Sequence, residues 1–137
     1  QAEHGIRDVE RSRGLGDVYK RQGDKESISQ GRSLFKTLDC QICHTPPLYT
    51  DLKLHDVGTG DVTKEKNSHG RGTKFDTPAL HGLWLTAPYL QDGSAVKIRV
   101  VILTGTTHNI VDKIGGADLE ALIAFLLALP DDNDGSR

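Results

Sequence analysis

Apolar residues recur at helical spacing near both ends of this chain and thin out between them. Ile28, Leu34, Phe35 and Leu38 predict a helix from Ser27 or Ser29 to about Leu38, with Gly31 leaving a bare patch on its surface. Leu119, Leu122, Ile123, Leu126 and Leu129 predict a second helix, its apolar face broadened by Phe125 and Leu127. Gly115-Gly116-Ala117-Asp118 opens this helix, Asp118 and Glu120 suit its N-terminal end, and Pro130 stops it. Between the two, Thr45 to Thr77 is rich in Gly, Asp, Lys, Thr and His and reads as a long loop with room for a short hairpin. Loops of that length without their own core are usually functional. A short helix is expected around Pro78 to Leu83, and another from a Ser94 cap to about Leu103. No alternating pattern is strong enough to predict a sheet. The expectation is an all-α fold of few helices with long loops.

Such a pattern leaves a small apolar inventory for 137 residues, 36% of which are hydrophobic. Gln1 to Gln22 stands apart as a charged leader, expected to be disordered or non-native. Its run Arg13-Gly14-Leu15-Gly16-Asp17-Val18-Tyr19-Lys20-Arg21-Gln22 resembles translated sequencing adapter. The domain is expected at 23–130, with a polar tail at 131–137. The chain does not begin with Met, which suggests a processed or partial chain, and no signal peptide is visible. The longest apolar stretch, Ala121 to Pro130, is too short to span a membrane. A net charge of -2 and 5% aromatics argue against a nucleic-acid partner.

The chemistry is concentrated in Cys40-Gln41-Ile42-Cys43-His44, which holds both cysteines of the chain. Cys-x-x-Cys-His is the attachment motif for c-type haem. Two thiols so spaced on one turn reach the two vinyl groups of a porphyrin, and the adjacent His44 reaches the iron. One covalent, largely apolar macrocycle would also supply the missing core. Three other readings fit the motif less well. A thiol–disulfide redox pair wants a βαβ setting, whereas here a helix precedes and Pro46-Pro47 follows. A zinc site wants two further regularly spaced ligands. A disulfide across so short a loop constrains almost nothing.

A wider set of blocks carries a resemblance. These are the run from Cys40 to Asp51, His55-Asp56-Val57-Gly58, Phe75-Asp76-Thr77-Pro78-Ala79-Leu80, and Thr86-Ala87-Pro88-Tyr89-Leu90-Gln91-Asp92-Gly93-Ser94. Together they resemble the C-terminal, electron-transferring haem domain of the di-haem cytochrome c peroxidase and MauG family, over about Gly31 to Pro130. The resemblance implies a cytochrome c-like fold with one haem c held through Cys40 and Cys43. Gly31, Phe35 and Phe125 resemble the crossing of first and last helices in such domains. The resemblance also implies haem contacts at His55 and Pro88. Arg71, in Gly70-Arg71-Gly72, is the best candidate to neutralise a propionate, ahead of Lys74 and Arg99. The sequence departs from the family at His81 and Leu85, where Arg is common, and at Gln91, where His is usual. It also has a single Cys-x-x-Cys-His where the full peroxidase has two, so peroxidase activity does not carry over to this chain alone.

The chain has no Met, the ligand that family peroxidases use opposite the histidine in this domain. The candidates are His55, His69, His81, His108 and Tyr89, with His4 in the leader. His108, in Thr104-Gly105-Thr106-Thr107-His108-Asn109, is the first choice and His55 the runner-up. Two His ligands predict a low-spin haem of comparatively low potential. The leading functional expectation is an electron-transfer domain whose iron cycles between Fe(II) and Fe(III). It would serve a redox partner protein or another haem domain of a larger chain. The alternatives are a fragment of a di-haem peroxidase-like oxidoreductase and, third, a haem-based gas sensor. Haem attachment of this kind takes place outside the cytoplasm, so a periplasmic or exported location is expected.

Overall fold

The computed structural model describes residues 25–60, 72–104, 107–108 and 110–129. The expected leader, the polar tail, Pro130, His4, His69 and Arg71 lie outside them. Helix α1 spans Lys25–Thr37 and helix α3 spans Gly116–Leu127. Between them lie the short strands β1 (Leu54–Asp56) and β2 (Lys74–Asp76), the short helix α2 (Ile98–Leu103) and three single 3-10 turns.

The two long helices cross at Gly31. A methyl group there would collide with the Ala121 carbonyl and come within 2.6 Å of the Phe125 Cβ. Glycine is therefore what lets the backbones approach so closely. Phe35 then packs its ring on Phe125 at 5.4 Å, and the Arg32 guanidinium covers the Phe125 ring at 5.7 Å. Gln30 Nε2 donates to Asp118 Oδ1 at 2.6 Å on the exposed side of the crossing. The core is built from Phe35, Leu80, Ile98, Ile102, Leu119, Leu122, Phe125, Leu126 and Leu129. The largest share comes from α3, whose apolar face is wide enough to bury residues toward both α1 and α2.

Three local features differ from the sequence reading. Strands β1 and β2 pair antiparallel, with His55 opposite Phe75. The fold is therefore mostly helical with a small sheet, and not strictly all-α. Three-residue strands are too short for an alternating pattern to show. No helix forms over Pro78 to Leu83; instead Gly82, at φ 69°, opens a 3-10 turn at Leu83–Leu85. Ser94 does not cap α2. Its N–H is taken by Asp92 Oδ1 at 3.0 Å, and the helix begins only at Ile98. Both the N–H and the hydroxyl of Ser94 bond the Asp92 carboxylate, a local side-chain turn that stands in place of a helix start. Among the described residues, no helix is long and apolar enough to cross a membrane.

Candidate functional site

Helix α1 ends at Thr37, and Asp39, two residues on, adopts φ 61°. Asp is one of the few residues that tolerates this left-handed conformation. The turn it makes sends the chain directly into a 3-10 turn at Cys40–Ile42, and His44 N–H closes onto the Cys40 carbonyl at 2.9 Å. Cys40, Cys43 and His44 therefore share one compact bend, half-buried, with both thiols free. Burial pushes the Cys40 thiol up. The reactive thiol of a disulfide oxidoreductase is shifted the other way.

The His44 ring is fixed by the following loop. Its Nδ1 lies 3.0 Å from the Tyr49 carbonyl, which accepts the ring proton, and the Pro78 backbone also bonds the ring. Burial pushes the His44 ring down, against the opposing pull of the Tyr49 carbonyl and the Asp51 charge. Burial thus favours the neutral form of the ring, the form that can act as a ligand.

Opposite it stands His108. The two imidazoles face each other with centroids 6.3 Å apart and planes inclined by 28°. That separation lies within the range of stacked rings. Two imidazoles bound to one metal at about 2 Å each have centres roughly 6 Å apart, so the spacing fits a metal ion between them. Burial also pushes His108 down, with the neighbouring His44 acting in the same direction. The donor set, the two adjacent thiols and the spacing all suit a c-type haem.

The remaining candidates lie elsewhere. His55, on β1, points Nε2 at Asp51 Oδ2, 2.7 Å away, and ties the loop rather than facing His44. Burial alone would raise the Asp51 carboxyl. Hydrogen bonds from Thr77, His55 and the Lys53 N–H outweigh it and hold the group well below the usual carboxylate range. Tyr89 donates its hydroxyl to the Leu83 carbonyl at 2.7 Å and bridges to Ala95. His81 packs beside the Tyr49 ring at 5.7 Å. Pro88 is exposed and packs toward Gly93, 3.5 Å from where a methyl group there would lie. Lys74 sits on β2, and Arg99 pairs with Glu120 across α2 and α3.

Sequence reasoning did not assign roles to Tyr49, Asp51, Thr77 or Thr107. Tyr49 acts through its carbonyl, which every residue has, so no side-chain signature exists. Asp51 and His55 are spaced i, i+4, a faint signal inside an irregular loop. Cys43, Asp51 and His55 also bring a sulfur, a carboxylate oxygen and a ring nitrogen within 4.8 Å of one another. Three such donors suit zinc, but the Asp51 oxygens are already engaged by Thr77, His55 and the Lys53 N–H.

Comparison with known proteins supplies a family context. No family model matches the chain. It is 27% identical over 125 residues to cytochrome c551 peroxidase of Nitrosomonas europaea, covering 81% of this chain and 37% of that protein. It is 31% identical over 98 residues to the methylamine utilization protein MauG of Methylophilus methylotrophus, covering 58% of this chain and 28% of that one. MauG of Methylorubrum extorquens is 30% identical over 96 residues. Among solved structures, a chain of hydrazine synthase from Kuenenia stuttgartiensis superposes with a TM-score of 0.64 at 20% identity. That match covers 77% of this chain and 46% of that one, and it bears on the fold alone. By sequence, then, the chain resembles the cytochrome c peroxidase and MauG proteins and spans about a third of their length.

Proposed function

We propose that the chain carries one c-type haem and serves as an electron-transfer unit. Cys40 and Cys43 would hold the porphyrin as thioethers, with His44 Nε2 and His108 as the axial ligands. When bound, the haem supplies one-electron Fe(II)/Fe(III) chemistry. The protein's part is to fix the ligands and set the potential. The observation that carries this reading is the opposed pair His44 and His108, 6.3 Å apart, next to two free thiols on one bend. Two neutral imidazoles favour a lower potential than a His/Met pair.

The similarity to cytochrome c551 peroxidase and MauG favours one wider reading. In it, this unit passes electrons to another haem domain or to a separate redox protein. Both readings place the protein in the periplasm or otherwise outside the cytoplasm, where thioether attachment takes place.

Expression in a bacterial periplasm with the maturation machinery tests the claim. Mass spectrometry should find one haem per chain, and the pyridine haemochrome spectrum should be that of haem c. The ferric protein should be low-spin, and His108→Ala should convert it to high-spin. No attached haem would refute the cofactor assignment. An unchanged low-spin spectrum in His108→Ala would refute the sixth ligand.

A further inference from the structure

His108 lies between α2 and α3 and belongs to no helix or strand itself. Its neighbour supplies a tether. Thr107 Oγ1 donates to the Asp56 carbonyl at 2.7 Å, a contact between residues 51 positions apart. The acceptor is braced. Asp56 closes β1, pairs with Lys74 across the sheet, and takes the Gly58 N–H on its own carboxylate at 2.9 Å. The same stretch of chain begins at Tyr49, whose carbonyl holds His44 at 3.0 Å. Residues 49–56 therefore touch both sides of the His44–His108 gap. At one end they orient His44 directly. At the other they hold the residue next to His108.

We propose that Thr107 is a positioning residue, one that sets how firmly His108 occupies its place opposite His44. Loss of its hydroxyl raises the fraction of protein in which that position is free to take a small neutral diatomic ligand. The proposal rests on His108 being the sixth ligand. An exogenous ligand that binds only the freed position enters at a rate proportional to the freed fraction, and one net hydrogen bond changes such a fraction about fivefold.

The test uses the haem-loaded protein, reduced and mixed with carbon monoxide, with the association rate read from the absorption change. Thr107→Val and Thr107→Ala both remove the hydroxyl and should bind carbon monoxide about fivefold faster than the parent. Thr107→Ser keeps the donor and should bind at the parental rate. Thr107 is exposed, so none of the three opens a cavity. A rise in Thr107→Ser as large as in Thr107→Val and Thr107→Ala would mean that the hydroxyl donor is not responsible, which overturns the proposal. Parental rates in Val and Ala, with His108→Ala fast and high-spin, would also overturn it while leaving His108 as the ligand. A low-spin, slow His108→Ala would remove His108 as the ligand, and Thr107's role with it.

Discussion

Asp51 is the residue on which the loop behind His44 turns. Its carboxylate accepts from His55 Nε2 at 2.7 Å and from the Lys53 N–H at 3.0 Å, and Thr77 adds a further bond. Thr50 Oγ1 then donates to the Thr77 carbonyl at 2.7 Å, so the loop is stitched to the chain that leads into Leu80 of the core. Together these bonds hold the Asp51 carboxyl below the ordinary carboxylate range. A carboxylate shifted in that direction stabilises the fold above its unfolded value, about pH 4, and the contribution fades as the pH falls below it. Asp51→Asn keeps the shape and loses the charge. Thermal melts of the two proteins should therefore differ most near neutral pH, begin to draw together only below about pH 4, and meet only as the pH falls through the much lower folded value. A gap that stayed constant down to pH 3 would contradict this role. The cysteines and His44 were legible in the sequence because a rigid spacing marks them. Asp51 was not, because its partners come from three separate places in the loop and only folding assembles them.

At the scale of elements, the crossing of α1 and α3 sets where the Cys40–His44 bend can lie. α1 delivers the chain into the bend directly, and α3 fixes α1 through Gly31 and Phe125. Gly31→Ala places a methyl group against the Ala121 carbonyl, which is backbone and cannot rotate aside. The helices must then separate, and overpacking of this sort costs about 1–3 kcal/mol. In a domain of this size the thermal midpoint should fall by several degrees or more. An unchanged midpoint would show that the helices can slide apart freely. Both long helices were readable because their apolar residues repeat at a constant period and α3 is almost wholly apolar. The shorter elements were not. The start of α2 depended on whether the Ser94 side chain capped a helix or turned to Asp92, a local choice that leaves Lys97 at the helix start. The β1–β2 pairing joins residues separated by the whole of 57–73, and three-residue strands carry too little pattern to announce it.

For the molecule as a whole, the question is what holds its middle in place. The buried core is a cluster of α1, α2 and α3 residues with Leu80 and Leu129, and Phe125 and Leu122 are its most completely buried large side chains. The segments that carry His44 and His108 contribute little to it. Leu48, Leu52 and Leu54, the large aliphatic residues of the loop behind His44, are all exposed, Leu52 at 81%. Hydrogen bonds to carbonyls fix these segments, and each is worth only about 1 kcal/mol net. A group bound covalently at Cys40 and Cys43 and ligated from both sides would join the bend to the His108 segment. Anything that binds the folded chain and not the unfolded one adds its binding free energy to stability. Removing the attachment should therefore loosen the molecule unevenly. In Cys40→Ala/Cys43→Ala, amide exchange should speed up strongly over 44–60, at 72–85 and around 107–110. The interiors of α1 and α3 should keep most of their protection, because Gly31, Phe35, Leu122 and Phe125 still pack. The helical circular dichroism should change little while the melting transition broadens and moves to lower temperature. Exchange rates that rose equally in helices and loops would mean a single cooperative unit held by the cofactor. Rates that did not rise anywhere would mean that the carbonyl bonds from Tyr49, Asp56 and Thr77 suffice to hold the ligand-bearing loops without it.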